Sequence, residues 1–181
     1  MTNPLHDVDL GQEFPRLTPA IVEVPKGSKI KYEIDKQTGL IRVDRVLFSA
    51  VHYPANYGFI PQTLCEDGDA LDILVLGLES VVPLAIMNAK PIGVMKMRDQ
   101  AGEDDKIISV HANDPEYANY SSMHELPPHR LTEIQRFFED YKVLERKTVK
   151  IKSFGDQKEA WKVMKMANQE YLKHQPKLKR A

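Results

Sequence analysis

The chain has one cysteine in 181 residues, Cys65, which excludes an internal disulfide framework and a zinc site built on cysteine ligands. Cys65 stands beside an acidic run, where neighbouring carboxylates disfavour a thiolate, so it is not read as a nucleophile. Net charge is also scarce: 25 basic and 26 acidic side chains leave −1. No global field marks a nucleic-acid binder, and any bound anion must be gripped by a local cluster. The most apolar stretch, Leu71 to Met87, is broken by Glu79 and Pro83 and is too short to span a bilayer. Met1 to Gly11 lack the basic segment and apolar core of a signal peptide, so a cytoplasmic protein is expected. Missing too are a Walker phosphate loop, a glycine-rich dinucleotide fingerprint and a Gly-x-Ser-x-Gly elbow. The six histidines are scattered, and His124 and His129 lack zinc-type spacing on a helix.

What remains is an ordinary globular composition, 42% hydrophobic and 28% charged. It is expected to form one domain over residues 1–181, without repeats or linkers. The first two-thirds reads as strands and turns. Ala20 to Pro25 is a short apolar run, and Ile30-Lys31-Tyr32-Glu33-Ile34 alternates with the period of a half-buried strand. A turn at Asp35 to Gly39 returns the chain into Leu40 to Phe48, making a hairpin. Leu71 to Leu78, Ala85 to Met97 and Ile107 to Val110 supply further strands, with Pro91 and Gly93 marking a bend or bulge. Short strands at this spacing favour a small barrel or sandwich. Two helices are expected late. One has Leu131, Ile134, Phe137, Phe138, Tyr141 and Leu144 on its apolar stripe; the other runs from about Asp156 to Leu172. The basic residues 173–181, with Pro176, read as a frayed tail.

The chemistry concentrates in two acidic loops. Asp67, Asp69 and Asp72 crowd three carboxylates into six positions, with Gly68 permitting a tight backbone. Like charges this close repel unless cations neutralise them; alone, the run reads equally as a solvated acidic turn. It does not fit a calcium EF-hand loop, whose sixth and twelfth positions here are Asp72 and Leu78 rather than Gly and Glu. All-oxygen donors point to a hard cation, Mg²⁺ or Mn²⁺. The second loop, Asp99 to Lys106, contains Glu103, Asp104 and Asp105 and lies between two strands. If the loops meet at one end of the sheet they hold more metal than one ion needs, as in multi-metal phosphoryl sites. Lys31 and Glu33 share a strand face, and Arg45 on the returning strand suits bidentate phosphate binding. On pattern alone the solvent face of an amphipathic strand is the plainer reading of Lys31 and Glu33, and an ordinary cross-strand ion pair is the plain reading of Arg45. Tyr53 to Ile60 is aromatic and turn-rich, and Tyr141-Lys142 ends the first helix; core packing and a helix-dipole lysine are the plain readings.

Taken together and in this order, these segments resemble the soluble family I inorganic pyrophosphatases of prokaryotic type. The resemblance runs from about Ile21 to Leu144. It is carried by Ile30-Lys-Tyr-Glu-Ile-Asp35, Val43-Asp-Arg45, Tyr53-Pro-Ala-Asn-Tyr-Gly58, Asp67-Gly-Asp-Ala-Leu-Asp72, Gly93-Val-Met-Lys-Met97, Asp99 to Lys106 and Phe138-Glu-Asp-Tyr-Lys142. It implies an α+β, predominantly β fold: a five-stranded barrel of OB-like topology with helices packed outside. It implies a diphosphatase using several Mg²⁺ ions, with Mn²⁺ or Zn²⁺ as substitutes. Position by position, Asp67, Asp72, Asp99 and Asp104 become metal ligands, with Glu33 assisting another metal. Asp69 becomes the general base for a metal-bridging water. Lys31, Arg45, Tyr57, Lys106, Tyr141 and Lys142 would hold substrate, with Glu23 lining the site and Tyr53 supporting the pocket. A homohexamer of two stacked trimers is implied as well. Some members place histidines of the late helix at a subunit contact; here that face carries Arg136 and Asp140, an i,i+4 pair. Two rivals stay open at this stage. One is a metal-dependent hydrolase of another diphosphate; the other is an OB-type module binding single-stranded nucleic acid, which the acidic loops disfavour.

Overall fold

The computed structural model describes residues 3–100 and 102–178. Ala101 of the second acidic loop, Met1, Thr2 and the last three residues lie outside the described residues. Eight strands and two helices follow one another as β1 (Thr18–Val24), β2 (Ile30–Ile34), β3 (Ile41–Val46), β4 (Asn56–Phe59), β5 (Asp72–Leu76), β6 (Ile86–Arg98), β7 (Lys106–His111), α1 (Pro128–Asp140), β8 (Lys150–Gly155) and α2 (Gln157–Leu178). Strands β1, β4, β5, β7 and β6 are bonded in that order, and β6 returns to pair with β1, closing a five-stranded barrel. Closure removes the open edges that invite stray pairing. β8 extends the sheet beyond β6, and β2–β3 forms a separate hairpin.

Closure depends on β6, thirteen residues long, which pairs antiparallel with β1, then β7, then β8 along its length. Its register with β7 shifts between Pro91 and Gly93, where proline has no amide to donate and the strand bends, as the sequence suggested. Strand β5 is buried on both faces, which is why its aliphatics run on without alternation. Ile73 and Val75 join a cluster with Ala160, Met164 and Ala167 of α2, whereas Leu74 and Leu76 join one with Ile134, Phe137 and Phe138 of α1. Each such side chain stabilises the fold by about 2 kcal/mol on burial. β4 and β1 lie unusually close: a side chain at Gly58 would put a Cβ atom 1.8 Å from the Ile21 carbonyl oxygen.

Several elements differ from expectation. The aromatic segment read as turns contains β4, whose four residues are all buried, and β8 carried too little alternation to be seen. α1 ends at Asp140, and Val143–Glu145 forms a separate 3-10 turn that leaves Leu144 exposed rather than on the helix's apolar stripe. Helix α2 continues to Leu178, so residues 173–178 of the expected tail are part of a helix, and 179–181 lie outside the described residues. Glu170 holds this last stretch, accepting from Lys173 at 2.9 Å and lying 3.2 Å from the His174 ring. No helix among the described residues is long and apolar enough to cross a membrane.

Candidate active site

The two acidic loops meet because β5 and β7 run parallel with Asp72 opposite Lys106. The loops preceding both strands therefore open at the same end of the barrel. Asp67 to Asp72 turns tightly there: the Cys65 amide donates to the Asp69 carbonyl at 2.8 Å, and Gly68 takes φ +86°, a conformation that favours glycine. On the facing side the β2–β3 hairpin sets Lys31 directly across from Arg45. Like charges opposite one another in a ladder are unfavourable unless anions lie between them.

These elements enclose a cavity of about 380 Å³. Of the fourteen residues singled out from the sequence, thirteen line it. The carboxylates are Glu23, Glu33, Asp67, Asp69, Asp72, Asp99 and Asp104, and the cations and phenols are Lys31, Arg45, Tyr57, Lys106, Tyr141 and Lys142, with Tyr53 the exception among all those named.

 Tyr53 is 2% exposed and packs behind the cavity wall, its ring tilted against those of Tyr57 and Phe137 with centroids 5.3 and 4.7 Å away.

Cations and carboxylates interleave throughout. Buried Lys106 bridges Asp72 and Asp104, and the Tyr57 hydroxyl donates to Asp72 at 2.5 Å. Lys142 donates to Asp99 at 2.8 Å. Lys31 bonds Glu33 and lies 3.5 Å from Asp44. Burial works against the charge on Lys106, but Asp72 and Asp104 outweigh it and hold the ammonium well above the ordinary lysine range. Burial likewise opposes charge on Lys31, and the bond to Glu33 reverses it. Among the carboxyls, burial pushes Glu23 up to about 8, although it accepts the Ile34 amide at 2.7 Å, and burial also raises Asp104 against the pull of Lys106. Tyr57 is raised well above the phenol range by burial and then by Asp72, so it stays a donor. Cys65 is pushed up to about 12 by burial, then by Asp72 and Asp67, which removes it as a nucleophile as expected.

No group of three or more His, Cys, Asp or Glu side chains among the described residues closes into a ready-made metal cluster. The carboxylates instead face lysines around the cavity. The donor chemistry fits hard divalent cations: every candidate is an oxygen donor, and the carboxylates are crowded enough that burial and mutual repulsion raise Glu23 and Asp104.

Four charged groups at or beside this cavity carried no signal of their own in the sequence. Lys36, in the hairpin turn, reaches Asp69 at 2.5 Å and the Gly68 carbonyl at 3.1 Å. Asp44 and Glu145 hold Arg45, and Lys147 lines the cavity. Turn and loop lysines have no periodicity to mark them, and only the closed fold brings these segments together.

Residues 20–172 match the sequence model of the family described as inorganic pyrophosphatase. Soluble inorganic pyrophosphatase 2 of Chlamydomonas reinhardtii is 54% identical over 173 residues, covering 96% of this chain and 90% of that one. Soluble inorganic pyrophosphatase 4 of Arabidopsis thaliana is 57% identical over 152 residues, covering 84% and 70% respectively. The crystal structure of inorganic pyrophosphatase from Thermus thermophilus superposes with a TM-score of 0.91 at 38% identity, over 94% of this chain and 99% of that chain. A match end to end with a bacterial structure agrees with the compact prokaryotic type. The chain belongs to the inorganic pyrophosphatase family.

Proposed function

We infer that this protein hydrolyses inorganic pyrophosphate to two phosphates. The observation that carries the reading is one small cavity in which seven carboxylates face lysine, arginine and tyrosine side chains. A compact polyanion attacked by an anionic nucleophile needs both: cations to neutralise it and carboxylates to gather metal and accept a proton. We assign Asp67, Asp72, Asp99, Asp104 and Glu33 to hold several Mg²⁺ ions. Bound there, such ions would screen the diphosphate charge and lower the pKa of a coordinated water toward neutrality.

Asp69 receives the proton of the attacking water on its carboxylate. Lys31, Arg45, Lys106 and Lys142 bind phosphoryl oxygens as cations, and Tyr57 and Tyr141 donate hydrogen bonds without adding charge. Glu23 lines the site, and Tyr53 fixes the Tyr57 ring by packing. The same reading takes the chain as one domain and as a homohexamer. It places the protein in the cytoplasm, a reducing compartment that suits a lone part-buried thiol. Neither rival is favoured: the carboxylates would repel a nucleic-acid backbone, and the cavity lining is too polar to offer a slot for a nucleobase.

Phosphate release from pyrophosphate by the purified protein, with Mg²⁺ and then with excess chelator, tests this. Release that requires the metal is expected; a folded sample that releases none with Mg²⁺ overturns the reading.

A further inference from the structure

Glu145 has no role in the reading above, yet its placement is unusual. It ends the 3-10 turn Val143–Glu145 just past Lys142. That turn leaves Val143 54% and Leu144 63% exposed while the Glu145 side chain is 7% exposed, the reverse of what hydrophobicity alone would select. A carboxylate is costly to bury without a partner. Its partners are Lys147, whose ammonium lies 3.7 Å from Oε2, and at shorter range Arg45, a hundred residues earlier, whose Nε–H donates to Oε1 at 2.8 Å. Three backbone bonds fold the turn back on itself: the Glu145 and Lys147 amides donate to the Lys142 carbonyl at 3.0 and 3.2 Å, and the Arg146 amide to that of Val143 at 3.0 Å. The ion pair therefore ties the β2–β3 hairpin to the segment carrying Tyr141 and Lys142.

Arg45 is fixed from two sides. Nε is taken by Glu145 and Nη1 by Asp44, while Nη2 is buried and has no partner among the described residues. A buried donor left unmade costs free energy and marks a place where a ligand acceptor is wanted.

We propose that Glu145 is a positioning residue for pyrophosphate: by holding Nε of Arg45 it fixes the guanidinium so that Nη2 meets a phosphoryl oxygen of the substrate. The proposal rests on the pyrophosphatase reading. A planar guanidinium recognises phosphate through fixed N–H directions, so rotation about its Cδ–Nε axis weakens substrate binding even with the charge intact.

The test measures KM and kcat for pyrophosphate in saturating Mg²⁺, with thermal melting to verify folding. The proteins are wild type, Glu145→Ala, Glu145→Gln, Arg45→Ala and the two Glu145 variants combined with Arg45→Ala. Glu145→Ala is expected to raise KM about tenfold with a smaller change in kcat, the size of losing one bond to a charged group. Glu145→Gln, which keeps an acceptor oxygen for Nε–H, restores KM to within about threefold of wild type. Once Arg45 is gone, neither change at Glu145 raises KM further, because coupled residues are not additive. An unchanged KM in Glu145→Ala, or the same rise with and without Arg45, overturns the proposal. Should Glu145→Ala not fold, Glu145→Met, which fills the same space but has no carboxylate to hold Nε–H, takes its place: a rise in KM seen only with Arg45 present supports the proposal, and no rise, or an equal one in both backgrounds, overturns it. Wild-type protein that does not hydrolyse pyrophosphate overturns the functional reading instead, whereas active wild type with unaltered variants overturns only the role of Glu145.

Discussion

At the scale of single residues, the aspartates of the first acidic loop have different surroundings. Asp72 is bonded by Tyr57 and Lys106, whereas the Asp69 side chain is 63% exposed and meets Lys36 from the hairpin turn. That leaves Asp69 open to solvent and suited to pass a proton on. Replacing it by Asn, which is nearly isosteric and cannot act as the base, is expected to lower kcat by about 10²–10⁴-fold. Mg²⁺ affinity, read by titrating activity with the metal, should change little; an equal loss in both would make Asp69 a ligand rather than the base. Glu23 gives a second prediction. Burial raises its carboxyl from the ordinary 4.5 to about 8. A proton is therefore bound in the folded state and not in the unfolded one between those values. Its contribution to stability is full below about pH 4.5 and is lost as the pH rises through about 8, a loss on the order of a few kcal/mol. With chelator present, the Tm of wild type should fall from pH 5 to pH 9 relative to Glu23→Gln, which has no proton to lose. Parallel melting profiles would show that Glu23 is not held protonated. That these residues would share one cavity was legible because their motifs stand together in a fixed order. Their pairing was not: nothing at Lys36 or Glu145 in the chain indicates the Asp69 or Arg45 that each one meets.

At the scale of elements, legibility followed periodicity. Strand β2 alternates and β5 is a dense aliphatic run, and both were expected close to where they lie. β4 was missed because Asn56-Tyr57-Gly58-Phe59 looks like a turn until burial on both faces is known. Gly58 is central to that strand. It pairs with Val22, and an added methyl group would fall 1.8 Å from the Ile21 carbonyl oxygen, where there is no space for it. Gly58→Ala must push β1 away from β4, beside Tyr57 and the cavity. It should cost about 3 kcal/mol, at the upper end for overpacking, read as a lower midpoint in urea unfolding. A midpoint equal to that of wild type would mean that the two strands separate freely. Helix α2 exceeded its expected end where the contacts of Glu170 with Lys173 and His174 act across a turn and oppose the fraying that composition alone suggests.

At the scale of the whole molecule, a nearly neutral chain concentrates opposite charges at one end of a closed barrel and leaves apolar residues exposed elsewhere. Val82 is 73% and Ile86 60% exposed near one end of β6, and Phe48 is 62% exposed beyond β3. Single exposed aliphatics are ordinary, but several this large and this exposed suit a chain that associates with copies of itself. Sedimentation equilibrium at micromolar concentration should give a particle of six chains of 20.7 kDa each. The face of α1 adds a condition. Arg136 bonds both oxygens of Asp140, at 3.0 and 3.1 Å, where a histidine contact would be a proton switch. Arginine and aspartate as residue types do not titrate between about pH 5.5 and pH 8, the interval over which histidine gains its charge. A contact built on this pair therefore has no reason to open on mild acidification. The six-chain particle should keep its mass when the pH is lowered from 8 to 5.5, and dissociation over that interval would place a titrating group in the interface that the Arg136–Asp140 pair does not supply.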